Sequence, residues 1–178
     1  MKKLRIGIVG LGRLGKVHAQ NIAYKIPNAE LTAACSIVPA ELEYAKQELG
    51  VTDVYTDYRE MLAKADIDAV VIVTTSSEHC WQIEAALDAG KHVFSEKPLG
   101  VDVAQCKQAE AAVERHPDLT FMLGFMRRYD KSYAYAKQKI EEGAIGTPYL
   151  VKATGIDPEA FVDGAIRFAK TSGGIFLD

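Results

Sequence analysis

The sequence lacks the features that mark several classes of protein. Only three cysteines occur among its 178 residues, and Cys35, Cys80 and Cys106 lie far apart with no Cys-x-x-Cys pair. Neither a disulfide framework nor a metal site is therefore indicated. No apolar run is long enough to cross a bilayer, and the net charge of −3 comes without long basic runs. We therefore expect no membrane and no nucleic acid as a partner, and a small molecule as the ligand.

A secretory leader is not indicated either. Lys2, Lys3 and Arg5 precede apolar residues, as they would in a leader, but glycines interrupt the run and a charged helix pattern follows. We therefore expect the protein to stay in the cytoplasm.

Short apolar runs alternate with amphipathic stretches of about ten to fifteen residues along most of the chain. The first run, Leu4–Val9, has the composition of a buried strand, and Leu14–Ile26 has the spacing of a helix. Further strands are predicted at Leu31–Ser36, Asp53–Thr56, Ala69–Thr74, His92–Ser95 and Phe121–Gly124, and further helices at Pro39–Leu49, Glu78–Ala89, Val103–His116 and Tyr133–Glu142. This alternation predicts an α/β fold with a doubly wound parallel sheet.

A loop near the end of this pattern suggests a domain boundary. Gly143, Gly146 and Pro148 mark the loop, and Tyr149–Ile156 is predicted to form a strand. We place the boundary near Gly146. Residues 1–145 would then form the first domain, and residues 146–178 would begin a second, truncated α+β domain.

The first predicted strand is followed directly by the sequence GLGRLG, which matches Gly-x-Gly-x-x-Gly. The first glycine of this pattern permits a tight turn, the second lets the backbone approach a pyrophosphate, and the third allows close packing of helix and strand. A simple strand-to-helix turn would explain a lone match equally well, but the flanking βαβ unit favours a dinucleotide site. The predicted cofactor-binding residues are Gly10, Gly12, Arg13, Leu14 and Gly15.

The end of the second predicted strand bears on the choice of cofactor. Sheets of this type usually carry an acidic residue there, which bonds the adenosine ribose and repels a 2′-phosphate. This chain has Ser36, which can form a hydrogen bond but carries no charge. No arginine follows directly to bind a phosphate. We therefore predict NAD as the cofactor, with NADP not excluded.

Lys97 follows the predicted strand His92–Ser95, at the carboxyl end where open α/β sheets bind ligands. Pro98 restricts Lys97 to an extended backbone conformation. On these grounds alone a solvated loop lysine is the better interpretation, because most lysines lie on the surface.

Three segments together resemble the glucose-fructose oxidoreductase and inositol dehydrogenase family. They are the glycine loop at residues 10–15, AGKHVFSEKP at residues 89–98, and GFMRRYD at residues 124–130. The resemblance extends over essentially the whole chain. It implies a Rossmann domain followed by a substrate and oligomerisation domain, in a homo-oligomeric parent that transfers hydride between a nicotinamide and a secondary hydroxyl of an inositol or sugar.

The resemblance also implies roles for individual residues. Lys97 would contact the reacting hydroxyl, Glu96 would belong to the cofactor site, and the peptide bond before Pro98 would be cis. Arg127 would lie near the substrate, although an ordinary surface arginine is nearly as good an interpretation. Asp178 would join the catalytic group with a histidine that lies beyond this chain in the family's pattern, or would be a frayed terminal carboxylate.

The segment before the fourth predicted helix resembles residues that line the cofactor in this family. Thr74 and Ser76 are therefore candidate cofactor contacts, and the alternative that Ser76 or Ser77 caps the helix is equally good. His79 is interpreted as a packing residue at the start of that helix.

The predicted function is NAD(P)-dependent oxidation of a secondary alcohol, with Lys97 and Asp178 sharing the proton transfer. Two alternatives stay open: a non-catalytic dinucleotide-binding or redox-sensing module, and a fragment whose role is assembly. By itself the chain is expected to bind the cofactor but to be inactive.

Overall fold

The computed structural model describes residues 2–156 and 159–169 and contains one six-stranded parallel sheet. The strands are β1 (Leu4–Val9), β2 (Ala29–Cys35), β3 (Asp53–Tyr55), β4 (Ala69–Ile72), β5 (His92–Glu96) and β6 (Phe121–Gly124). They lie in the order β3-β2-β1-β4-β5-β6, and all neighbouring pairs are parallel. This is the order of a doubly wound dinucleotide-binding sheet, and the predicted fold class is confirmed.

Helices follow most of the strands. They are α1 (Arg13–Tyr24), α2 (Pro39–Leu49), α3 (Tyr58–Lys64), α4 (His79–Asp88), α5 (Val103–Arg115), α6 (Lys131–Glu141) and α7 (Val162–Phe168). Local interactions determine where individual helices begin and end. Asp102 caps α5 by accepting the Gln105 N–H at 2.8 Å, and α2 stops at Gly50, which has φ +69°. Within the described residues, no helix combines the length and apolarity that a membrane span requires.

The two faces of the sheet are covered by different helices. Ile6 and Ile8 of β1 pack with α1 and α2, whereas Val9 packs with α3 and α4 on the opposite face. All four residues of β4 are buried. Burial on both faces explains why the central strands are apolar runs rather than alternating ones.

The topology determines where a ligand can bind. The chain proceeds from β1 to β2 on one side, and β4 then lies on the other side of β1. The loops after β1 and β4 therefore leave in opposite directions, which opens a crevice at the carboxyl ends of these strands. The residues predicted from the sequence as cofactor contacts lie at this edge, in the loops, in the first turn of α1 and at the end of β5.

Within the described residues, the structure contains a helix that the sequence pattern does not predict, and it lacks one strand that the pattern does predict. The sequence pattern does not predict α3, because its seven residues are too few to show a helical period; Asp57 starts it by accepting the Glu60 N–H at 2.8 Å. The strand predicted at Tyr149–Ile156 is wrong, since this segment has no regular structure and its side chains are exposed. A strand needs a hydrogen-bonded neighbour, and the described sheet ends at β6. The domain boundary near Gly146 stays a prediction.

Ile8→Ala should destabilise the domain by about 2–5 kcal/mol, because it removes a fully buried side chain and leaves a cavity between β1 and α1. The matched control is Ile37→Ala, the same chemical change at a side chain that is 87% exposed, where a shift within about 0.5 kcal/mol is expected. Urea unfolding without cofactor measures both. Equal losses in the two variants would contradict the core described here.

Candidate functional site

The loop between β1 and α1 brings two backbone segments into close contact. Gly10 has φ +86°, and a side chain at this position would collide with the Val73 carbonyl. A Cβ on Gly15 would overlap the carbonyl oxygen of Gly10, so α1 packs directly on the turn. Gly12 differs, because its Cβ position has open space around it.

The N-terminus of α1 is suited to an anion. Gly12 is its N-cap residue, and no side chain from the described part of the chain caps it. The N–H groups of the first turn and the positive end of the helix dipole therefore face the same open space as Gly12. A pyrophosphate meets both requirements.

The end of β2 carries a hydrogen-bonded pair. Ser36 is buried, and its Oγ donates to Oε2 of Glu41 at 2.5 Å. The Val38 N–H donates to the same Oγ at 3.1 Å. Sequence reasoning missed Glu41 because it looked for a carboxylate on the strand itself, whereas this one lies in the first turn of α2. An acidic residue at a helix start was the available signal.

A buried histidine links the segments that follow β4 and β5. The Nδ1 of His79 lies 2.7 Å from the Pro98 carbonyl oxygen, and its Nε2 lies 3.2 Å from that of Thr74. Thr74 also donates its hydroxyl to Gln82 Oε1 at 2.6 Å. These contacts agree with the interpretation of His79 as a packing residue. They also fix the backbone at Thr74 and Pro98 along one wall of the site.

The interpretation of Ser76 or Ser77 as a helix cap is wrong. A 3₁₀ turn, Ser76–Glu78, precedes α4, and no side-chain cap is found at either helix start among the described residues. The Ser77 hydroxyl is instead 3.5 Å from a Glu78 carboxylate oxygen. The 3₁₀ turn places both serines before Glu78, which occupies the N-cap position of α4.

The end of β5 is joined to α1 by a carboxylate. Oε1 of Glu96 lies 2.8 Å from Nε2 of His18, and the Lys97 N–H donates to Oε2 at 3.3 Å. Burial opposes ionisation of Glu96, but these hydrogen bonds and the positive charges of His18 and Lys97 outweigh it and lower its pKa. The Lys97–Pro98 peptide bond is cis, as the family resemblance implies.

These strand ends form the walls of one cleft of about 760 Å³, a size typical of cofactor sites. All ten cofactor-site residues predicted from the sequence line it: Gly10, Gly12, Arg13, Leu14, Gly15, Ser36, Thr74, Ser76, Glu96 and Lys97.

The structure does not bring the predicted substrate residue to this cleft. Arg127 does not line it; its guanidinium lies over the ring of Tyr133, 5.3 Å from the centroid, and 4.0 Å from an Asp130 carboxylate oxygen. Asp178 lies outside the described residues.

Cys35 also lines the cleft, and its thiol has a raised pKa. Burial, and then the charge of Asp57, raises the pKa of its thiol to about 11. The thiol is therefore protonated at neutral pH. The reactive form of a cysteine is the deprotonated thiolate.

Residues 4–125 match the GFO_IDH_MocA family, an oxidoreductase family with an NAD-binding Rossmann fold. The chain belongs to this family. The family resemblance seen in the motifs and the predicted NAD-binding domain are thereby confirmed, and NAD is the cofactor of the family's fold.

Relatives with assigned activities are similar over almost the whole chain. Myo-inositol 2-dehydrogenase of Thermotoga maritima is 34% identical, over 98% of this chain and 51% of the relative. The scyllo-inositol 2-dehydrogenase (NAD(+)) of Bacillus subtilis is 38% identical, over 99% of this chain and 50% of the relative. The chain therefore spans about half the length of these curated relatives.

A solved structure is closer in sequence. Scyllo-inositol dehydrogenase from Lactobacillus casei, with bound NAD(H) and scyllo-inositol, is 54% identical and superposes with a TM-score of 0.93. The superposition covers 99% of this chain and 53% of that enzyme.

Two glycine variants should separate folding from binding. Gly15→Ala should strongly destabilise the domain, because the methyl group overlaps the Gly10 carbonyl. Gly12→Ala should fold normally but lose NAD affinity by about tenfold or more, because its methyl group occupies the space left for the pyrophosphate. Thermal unfolding and calorimetric titration measure the two effects. A Gly12→Ala variant that binds NAD normally would contradict this placement of the pyrophosphate.

Proposed function

We propose that the chain is the cofactor-binding part of an NAD-dependent dehydrogenase that oxidises a secondary hydroxyl of an inositol or related sugar. The observation that carries the proposal is the single cleft that contains both the glycine loop and Lys97. A dinucleotide that extends along the carboxyl edge of the sheet has its pyrophosphate at α1 and one end at β5. Lys97 is available there as an acid–base group.

In this proposal each wall of the cleft has a separate task. Gly12 and the first turn of α1 hold the pyrophosphate, and the segment from Thr74 to Ser76 lines the nicotinamide half. Glu96 fixes the backbone of Lys97 through its hydrogen bond to the Lys97 N–H. The bound cofactor supplies the hydride chemistry. Lys97 holds the reacting hydroxyl and takes part in moving its proton.

The substrate class follows from the relatives. Two of them are named for inositol, and the solved Lactobacillus casei enzyme holds scyllo-inositol together with NAD(H). We propose an inositol for this chain on that basis, with Arg127 and Asp178 contributing to the substrate side. We further propose that the whole protein is a cytoplasmic homo-oligomer whose second domain begins near Gly146.

One observation favours cofactor binding without turnover by this chain alone. Within the described residues, Lys97 is the only sequence-predicted catalytic or substrate residue that lines the cleft. Orientation of reacting groups can supply about 7–11 kcal/mol of a barrier, and one lysine cannot position a polyol. A dinucleotide-binding module is therefore the second candidate function.

Lys97→Met, in a full-length enzyme that contains this chain, should lower kcat by about 10²- to 10⁴-fold while changing the NAD dissociation constant by only a few fold. The reason is that Lys97 contacts the hydroxyl rather than the pyrophosphate. Lys64→Met, on the outer surface of α3 and 65% exposed, is the matched control. Wild-type kcat in the Lys97 variant would rule out the proposed role.

The 178-residue chain, prepared by itself, should bind NAD in a calorimetric titration but should not reduce it with myo- or scyllo-inositol. The full-length Bacillus subtilis relative serves as the positive control in the same absorbance assay at 340 nm, the wavelength at which the reduced nicotinamide absorbs. Steady NADH formation by the chain would show that the described cleft is sufficient for catalysis.

A further inference from the structure

We propose that Glu41 is the residue that selects NAD over NADP, acting as the carboxylate that the end of β2 lacks. The proposal rests on the cofactor binding proposed above and adds its specificity. A serine at position 36 alone would predict weak discrimination, since it cannot repel a 2′-phosphate. The structure places a charged carboxylate against that serine.

The hydrogen bonds determine which way the serine hydroxyl points. The Val38 N–H donates to Oγ of Ser36 at 3.1 Å, so the hydroxyl accepts at that side. Its single proton is then donated to Oε2 of Glu41, 2.5 Å away. This contact holds Glu41 in one position at the cleft wall and leaves its second oxygen, Oε1, with lone pairs for another donor.

The carboxylate lies close to the place where an aspartate on the strand would carry its own. An aspartate at position 36 would have its carboxyl carbon about where Oγ of Ser36 lies, and its oxygens about 1.2 Å further out. Oε2 of Glu41 is 2.5 Å from that Oγ, and both residues line the cleft. The serine and the glutamate together therefore present a carboxylate acceptor at the strand end, on the wall of the cleft where an aspartate would present one.

The negative charge is favoured at this position. Glu41 is in the first turn of α2, where the positive end of the helix dipole stabilises a carboxylate. A ribose 2′-hydroxyl can donate to it, whereas a 2′-phosphate would meet a like charge at hydrogen-bond distance. Asp57 also lines the cleft, but it accepts the Glu60 N–H at 2.8 Å as the cap of α3.

Calorimetric titration of the 178-residue chain with NAD and with NADP tests the proposal. The wild-type chain should bind NAD more tightly. In Glu41→Gln the ratio of NADP to NAD dissociation constants should fall by about tenfold or more, because the repulsion of the phosphate is removed. Glu43→Gln, the same change on the same helix at a side chain that pairs with Lys46 outside the cleft, should leave the ratio unchanged.

A rescue variant separates the charge from any effect on folding. Adding Ser36→Asp to Glu41→Gln should restore most of the NAD preference, because the carboxylate is returned to the strand end. Equal ratios in the Glu41 and Glu43 variants would overturn the role of Glu41, as would equal binding of both cofactors by the wild type. If the wild-type chain bound neither cofactor, the proposed function itself would fail, and this outcome is distinct from the first two.

Discussion

The contact between Gly15 and the carbonyl of Gly10 is the constraint on which the site depends. Because no side chain separates them, α1 starts directly on the turn that ends β1. This close packing aims the helix N-terminus along the carboxyl edge of the sheet. It also leaves Gly12 beside open space rather than protein. The open, uncapped N-terminus of α1 therefore arises from backbone geometry and needs no charged side chain.

The remaining walls of the cleft are built by contacts between distant segments. His18 on α1 bonds Glu96 at the end of β5, and the ring nitrogens of His79 lie 2.7 Å and 3.2 Å from the carbonyl oxygens of Pro98 and Thr74. Each contact joins the loop after one strand to another element of the fold. The glycine loop, Thr74 and Lys97 are thus held at fixed relative positions, as the proposed hydride transfer requires.

Cofactor choice illustrates why a strand-end motif is an incomplete guide. The usual test asks whether the last residue of β2 is acidic, and Ser36 fails it. A carboxylate can reach the strand end from the next helix, because α2 starts at Pro39, shortly after β2 ends at Cys35, and Glu41 in its first turn contacts Ser36. Glu41 is five residues from Ser36 in the sequence, but its carboxylate accepts a hydrogen bond from that serine.

The sequence by itself determined the features that depend on neighbours along the chain. The bounds of β1, α2 and β6, the order of the six strands along the chain, and the glycine loop follow from local periodicity and backbone freedom, so they could be predicted. The sequence also singled out ten residues that the structure brings to one cleft, because parallel strands bring their carboxyl ends to one edge. Tertiary structure alone decided the pairs Ser36–Glu41 and His18–Glu96, the position of Arg127 outside the cleft, and the absence of a strand at residues 149–156 of the described chain. These depend on side-chain reach and on pairing partners from other elements, and hydrophobic periodicity fixes neither of them.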